Sequence, residues 1–346
     1  MRMKQSYVRL LPRAFKRFGF LSARRTLLPT LAFALHPFVL PPSRKPALFT
    51  MNILPPMMTV WYHVVRKYLG DAVDVVIFDS SGMLDPAEFP GAKVQKFLNL
   101  YAATKSDIFL RKIAKNRRIA WICDDDMFPV SAEMLKVLER EFAIKKTAAV
   151  SFRPRGWWHL EIHGESFEPI SSYCTAFNRE ILVEQENLSL RPAHGNTHPS
   201  HIGKPPGRYD TCDKANESLL KRGYRCVVVP EEERERYLTG FSGVSGAVMM
   251  LQYFKSPEQM LQYYENAPKE NWGGNMLHGT LAALLSVAIV QELYTTLKGK
   301  PYPLPSLPQR EEIEKLIEIH RKDMRPDQRR YDEVIRTSEE RLKAAL

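Results

Sequence analysis

Between residues 47 and 152, short runs of apolar, β-prone residues alternate with segments of helical periodicity, and this alternation leaves few folds open. "ALFTMN" (47–52) reads as a strand. "MMTVWYHVVRKYLG" (57–70) reads as a helix, with Met57, Val60, Trp61, Val64 and Tyr68 at helical spacing and Gly70 as its stop signal. "VDVVIF" (73–78) is an apolar strand ending at Asp79, and "RIAWIC" (118–123) and "TAAVSF" (147–152) are two more. "KVQKFLNLYAATKSDIFLRKIAKN" (93–116) is expected to be helical, with Val94, Phe97, Leu98 and Tyr101 on one face, and a further helix is expected over 131–142. Strands and helices in this order predict an α/β domain with a Rossmann-like, mostly parallel sheet flanked by helices. Ligands of such sheets bind outside the carboxyl ends of the strands. Asn52, Asp79 and the run Asp124 to Asp126 all fall at predicted carboxyl ends.

The run "DDD" raises a physical question. Three adjacent carboxylates repel one another and raise each other's pKa, an unfavourable arrangement unless a cation is to sit there. If the strand persists past Cys123, Asp124 and Asp126 share one face and Asp125 the other. Mg²⁺ or Mn²⁺ takes one or two protein carboxylates and completes its shell with water and phosphate oxygens, so an incomplete protein site implies a phosphate-bearing ligand. The structural alternative is that the aspartates cap a helix beginning near Ser131, a need that one Asp would meet.

The order of these features resembles nucleotide-sugar-dependent glycosyltransferases of the GT-A fold, most nearly the large, mainly inverting family 2. The likeness spans residues 46–230. "VVIFDSSG" (75–82) matches the second-strand pattern, "DDD" (124–126) the metal motif, and "YDTCDKANESLLKRGY" (209–224) the acidic pair that opens a helix ending in Gly-Tyr. The resemblance implies that Thr50, Asn52, Asp79, Asp124 and Asp125 bind a UDP- or GDP-sugar. Asp124 and Asp126, completed by His278, would hold Mn²⁺ or Mg²⁺. Asp213 or Asp210 would be the base that takes a proton from the acceptor hydroxyl of a glycan or lipid-linked acceptor. This chain splits the acidic pair, so either carboxylate could be the base. The family's downstream tryptophan motif is not evident, although "NWGGNMLHG" (271–279) stands in a similar place. Asp213 could equally be the N-cap of its helix, and His278 an ordinary helix-start histidine. Trp157 and Trp158 could stack on an acceptor or pack in the core. His194, His198 and His201 have zinc-like spacing, but Gly195 and Pro199 disfavour the helix that would gather them.

Two rival readings compete. "VVIFDSSGMLDP" also resembles the nucleophile motif of haloacid-dehalogenase-like phosphatases, with Asp79 as nucleophile. Ser81 then replaces the general acid, however, a role that contributes roughly 10²- to 10⁴-fold. The second rival is a non-catalytic, membrane-recruited binding protein on the same sheet.

Charge locates a further feature. The formal net charge is +11, yet residues 1–70 hold twelve Lys or Arg and no acid, which leaves residues 71–346 at −1. The near-neutral body disfavours nucleic acid as a partner. Residues 1–45 are expected to be a basic, amphipathic N-terminal extension suited to an anionic membrane surface, making the protein cytoplasmic and peripheral to the membrane. An Arg-rich, acid-free start is also what an organelle-targeting segment looks like. Pro29 and Pro37 interrupt its uncharged stretch and argue against a bilayer span. "TLAALLSVAIV" (280–290) is expected to be a buried helix. The remaining divisions are a GT-A-like catalytic domain over 46–275 and a helical C-terminal region over 276–346. Cys123, Cys174, Cys212 and Cys226 show no metal-ligand spacing.

Overall fold

A computed structural model describes residues 7–156, 159–194, 201–202, 208–267, 275–324 and 331–346. Its central sheet has seven strands: β1 (Ala47–Asn52), β2 (Asp74–Asp79), β3 (Ala92–Lys96), β4 (Ile119–Cys123), β6 (Thr147–Ser151), β9 (Cys174–Asn178) and β13 (Arg225–Val228). Other strands are short. β5 (Met127–Pro129) pairs with β14 (Leu238–Gly240), β7 (His159–Ile162) and β8 (Glu165–Phe167) form a hairpin joined by β11 (His201–Ile202), and β10 (Ala193–His194) pairs with β12 (Arg208–Tyr209). The central order is β13-β6-β9-β4-β1-β2-β3, and every neighbouring pair is parallel except the two made by β9. The protein is therefore an α/β fold with a mostly parallel sheet.

Both faces of the sheet are covered, which is why its strands read as near-continuous apolar runs. Leu48, Val75, Ile77 and Trp121 enter the core on one side, and Phe49, Val76, Phe78 and Ile122 enter it on the other. The first side holds α2 (Pro55–Tyr68), α4 (Glu133–Ala143) and α7 (Val244–Tyr253), with α9 (Asn275–Lys298) at its centre. α9 is apolar all round because α2, α7, α10 (Arg310–His320) and α11 (Tyr331–Ala345) surround it. Residues 277–298 are long and apolar enough to cross a bilayer, and 67% of the apolar window is buried within the fold. On the second side, Phe49 stacks on Phe109 at 4.7 Å and Phe78 on Phe97 at 4.3 Å.

One sequence expectation is corrected. Residues 92–96 form the edge strand β3 beside β2, so Val94, Phe97, Leu98 and Tyr101 do not share a helical face; the helix α3 begins only at Ala102 and runs to Ile108. Lys93 and Lys96 on β3 suit an edge that must not recruit further strands. The chain also passes through Pro29 without breaking. α1 (Tyr7–Leu35) includes Pro12 and Pro29 and buries Leu10, Ala14, Phe18, Ser22, Thr26, Thr30 and Phe33 against the body, chiefly α7 and β3. Packing on both sides of Pro29 outweighs the roughly 3 kcal/mol that a proline costs inside a helix.

Candidate active site

β2 and β3 lie on one side of β1 and β4 on the other, so the strand order reverses between β1 and β4. A crevice opens at the carboxyl ends of strands where such a reversal occurs. β4 ends at Cys123, and residues 124–127 form a turn in which the Met127 amide donates to Asp124 O at 3.0 Å. The strand alternation expected for Asp124 and Asp126 therefore does not apply: aspartate is a turn former, and here the turn ends the strand. The turn is anchored from two sides. The Asp124 amide donates to Tyr173 O and the Phe241 amide to Asp126 O, each at 2.8 Å. A Cβ at Gly240 would lie 2.4 Å from Asp126 O, so only glycine permits this approach.

The three aspartates are partly exposed. Among the described residues none of them forms an ion pair, and Asp125 Oδ2 has no hydrogen-bond partner. Burial and then the charge of Asp126 push the Asp124 carboxyl well above its usual value, against the opposing pull of Lys105 and Arg155. Asp125 is raised by burial and by both neighbours. Burial brings Asp126 to about 7, opposed by a backbone hydrogen bond and Arg153. Lys105, buried beside them, donates to Ser80 Oγ at 3.2 Å, and burial lowers it to about 8.

This donor set fits Mn²⁺ or Mg²⁺: it offers hard carboxylate oxygens whose mutual repulsion a divalent cation would relieve. It does not close a site by itself. Among the described residues no three His, Cys, Asp or Glu side chains gather to hold a metal, so Asp124, Asp126 and His278 form no ready-made triad. His278 is buried near the start of α9, and that start packs on the turn that anchors Asp126: a Cβ at Gly243 would lie 3.7 Å from Gly279 O.

A second polar cluster adjoins the turn. Arg155, only 2% exposed, pairs with Asp213 at 2.9 Å and donates to Thr211 O at 2.8 Å and to Tyr173 Oη at 3.3 Å. It also lies 3.5 Å from Asp210. Asp213 opens α5 (Asp213–Lys221), is fully buried, and accepts from the Asp210 amide at 2.7 Å. Asp210 has a side chain that is 42% exposed and accepts from the Tyr101 hydroxyl at 3.1 Å and the Thr211 amide at 2.8 Å. Of the two candidate bases, Asp210 is the accessible one. Tyr173, bonded through its backbone to Asp124 and through its hydroxyl to Arg155, joins the two clusters. Lys105, Arg155, Tyr173 and Tyr101 carry no site signal in the sequence; only the fold brings these residues from three separate segments together.

At the β1–β2 end the predicted residues serve the chain itself. Asp79 is fully buried: Oδ1 accepts from Asn52 Nδ2 (2.7 Å), Ser81 N (3.0 Å) and Ser81 Oγ (2.6 Å), and Oδ2 from Leu84 N (3.0 Å). Thr50 and Asn52 are also fully buried. α1 lies across the loop that follows, with Ser22 Oγ donating to Ser80 O at 2.6 Å and Arg25 to Ser81 O at 3.4 Å. Asp79 is thus in no position to attack phosphorus, which removes the basis of the phosphatase reading. Trp157, Trp158, His198 and residues 271–274 lie outside the described residues.

No family model and no curated protein matches the chain. Among solved structures it is similar to a mannosyltransferase from Pyrobaculum calidifontis in complex with GDP-mannose and Mn²⁺, at 15% identity and a TM-score of 0.40, over 96% of this chain and 97% of that one. It is also similar to the bifunctional glycosyltransferase WbbM (8% identity, TM-score 0.35, 65% of this chain and 52% of that one). It is similar as well to the glycosyltransferase GlyE of Streptococcus pneumoniae (8% identity, TM-score 0.30, 55% of this chain and 46% of that one).

Proposed function

We propose that the protein is a glycosyltransferase that moves a sugar from a nucleoside-diphosphate donor, a UDP- or GDP-sugar, to the hydroxyl of a glycan or lipid-linked acceptor. One observation carries the reading: the unpaired Asp124–Asp126 turn at the switch point of the sheet is linked through Tyr173 and Arg155 to the accessible carboxylate of Asp210.

Asp124 and Asp126 would hold Mn²⁺ or Mg²⁺, which supplies positive charge against a departing diphosphate. Asp210 accepts the proton of the acceptor hydroxyl. As that proton leaves, the acceptor oxygen forms a bond to the anomeric carbon, the bond from that carbon to the diphosphate oxygen breaks, and its electron pair goes to the diphosphate. A single displacement of this kind inverts the anomeric configuration. Arg155 and Asp213 position Asp210 and do not react: Asp213 is fully buried and receives the Asp210 amide. Asn52 and Asp79 fix the loop of residues 80–84, which would lie beneath the nucleoside, and Thr50 is buried within β1.

The test is a thermal-shift series with UDP and GDP, each with and without Mn²⁺, on the wild type and on Asp124→Ala and Asp126→Ala. The proposal expects a metal-dependent nucleotide shift in the wild type that both variants lose. Equal shifts in all three proteins refute it.

A further inference from the structure

α1 has two faces, and only one is accounted for by the fold. Around the helix, Arg13, Arg17, Phe20, Arg24, Leu27, Leu28, Leu31 and Leu35 recur at spacings of three and four and form one outward stripe opposite the buried side. Phe20 is 64% exposed, Leu28 and Leu35 are each 76% exposed, and Leu27 and Leu31 are about half exposed. Six of the twelve large apolar side chains exposed among the described residues lie on this one helix. Exposed apolar residues scattered singly need no explanation, whereas a contiguous stripe of them does.

The charge on the same helix narrows what covers the stripe. Arg13, Lys16, Arg17, Arg24 and Arg25 are all exposed, none forms an ion pair among the described residues, and no acid occurs before Asp71. A second copy of α1 would bring further cations and no acid to pair with these. An anionic bilayer offers lipid phosphates to the cations and acyl chains to Phe and Leu at the same depth. We infer that the outward face of α1 docks on an anionic membrane surface, with Leu27, Leu28, Leu31 and Leu35 in the interface and Arg13, Arg17 and Arg24 at the headgroups. The opposite, buried face of α1 reaches toward the site: Thr30 receives the Leu98 amide at 2.8 Å, and the chain runs from there through the exposed Leu100 to Tyr101, whose hydroxyl meets Asp210. The inference concerns binding alone and stands whether or not sugar transfer is the reaction.

The full chain, without nucleotide or metal, is sedimented with vesicles of phosphatidylcholine alone and of phosphatidylcholine with phosphatidylglycerol. Binding to the anionic vesicles that weakens with salt is expected. Arg13→Gln/Arg17→Gln/Arg24→Gln should weaken it on the order of 10²-fold, at about 1 kcal/mol per basic residue near an anionic surface. Leu28→Ser/Leu31→Ser/Leu35→Ser should weaken it at high salt as well. Both variants replace exposed side chains, so circular dichroism should show wild-type folding. A Phe20→Trp reporter should shift to the blue on binding and be quenched by brominated lipid. Equal partition into neutral and anionic vesicles, unaltered binding of the Leu→Ser variant, or self-association in solution that the Leu→Ser variant abolishes would each overturn the inference. The last of these would assign the stripe to a second copy of the chain.

Discussion

Asp126→Asn tests the electrostatics of the turn without reference to any activity. The Asp126 carboxyl is raised from 3.8 to about 7, with burial as the main cause. In the unfolded chain it ionises at its ordinary value, so between about pH 4 and pH 7 the folded state holds a proton that the unfolded state has lost, and stability falls as pH rises through that window. The contribution is fully present at lower pH and exhausted above about pH 7. At 1.36 kcal/mol per pKa unit the full displacement corresponds to about 4 kcal/mol, and because the side chain is partly exposed, solvent returns part of this, leaving about 2 kcal/mol. Asparagine keeps the shape and has no charge to bury. In urea unfolding followed by circular dichroism, with divalent cations chelated, Asp126→Asn should match the wild type near about pH 4 and exceed it by about 2 kcal/mol at about pH 8. Added Mn²⁺ should erase that advantage, because binding needs the ionised carboxylate and stabilises only the wild type strongly. A difference independent of pH, or a variant less stable than the wild type at high pH, would refute the claim that these carboxylates are held uncompensated.

Other perturbations separate structural from chemical roles. Arg155→Met leaves the fully buried Asp213 carboxylate without its principal cation and should cost about 3–5 kcal/mol of stability, read from urea midpoints. Asp79→Ala strands the buried donors of Asn52, Ser81 and Leu84 and should cost roughly 3 kcal/mol or more, at about 1–3 kcal/mol per unmatched group. Asp210→Asn should lower turnover about 10²- to 10⁴-fold with donor affinity unchanged, once a donor and acceptor pair is found. Removal of residues 1–35 should yield an aggregating chain instead of a soluble core. Leu10, Phe18 and Phe33 alone contribute on the order of 5–9 kcal/mol of burial, comparable with a whole domain's stability.

The strands of the fold were legible because burial on both faces leaves short, near-continuous apolar runs bounded by polar residues, as in β1, β2, β4 and β6. β3 was not, since an edge strand is half exposed and its Ala-Lys-Val-Gln-Lys composition fits a helix equally well. The aspartates were legible as an electrostatic anomaly, but their geometry was not: a local pattern cannot reveal that β4 stops at Cys123 and that Gly240 from a distant strand clamps the turn. The choice between Asp210 and Asp213 depends on which is buried against Arg155, and nothing in the sequence near residue 155 announces a partner almost sixty positions away. Asp79 is the converse case. It closes β2 as its place after an apolar run implies, and only its four donors reveal that its carboxylate is occupied in holding the next loop.

α1 shows most clearly where composition misleads. Alternating Leu, Phe, Arg and Lys read as one amphipathic surface, yet the helix divides its apolar residues between two. Leu10, Ala14, Phe18 and Phe33 belong to the core, and Leu27, Leu28, Leu31 and Leu35 face outward. A helix needed only for packing would gain solubility from polar residues on the outer stripe, and one needed only for anchoring would have no reason to place Ser22, Thr26 and Thr30 against the loop after β2 and the edge of β3. Carrying both sets couples the two surfaces: a displacement of α1 must move Ser80 and Ser81, and with Ser80 the hydroxyl that receives Lys105 beside the aspartates. The same helix that would meet a bilayer therefore also holds the loop whose Ser80 hydroxyl receives Lys105 beside the aspartates.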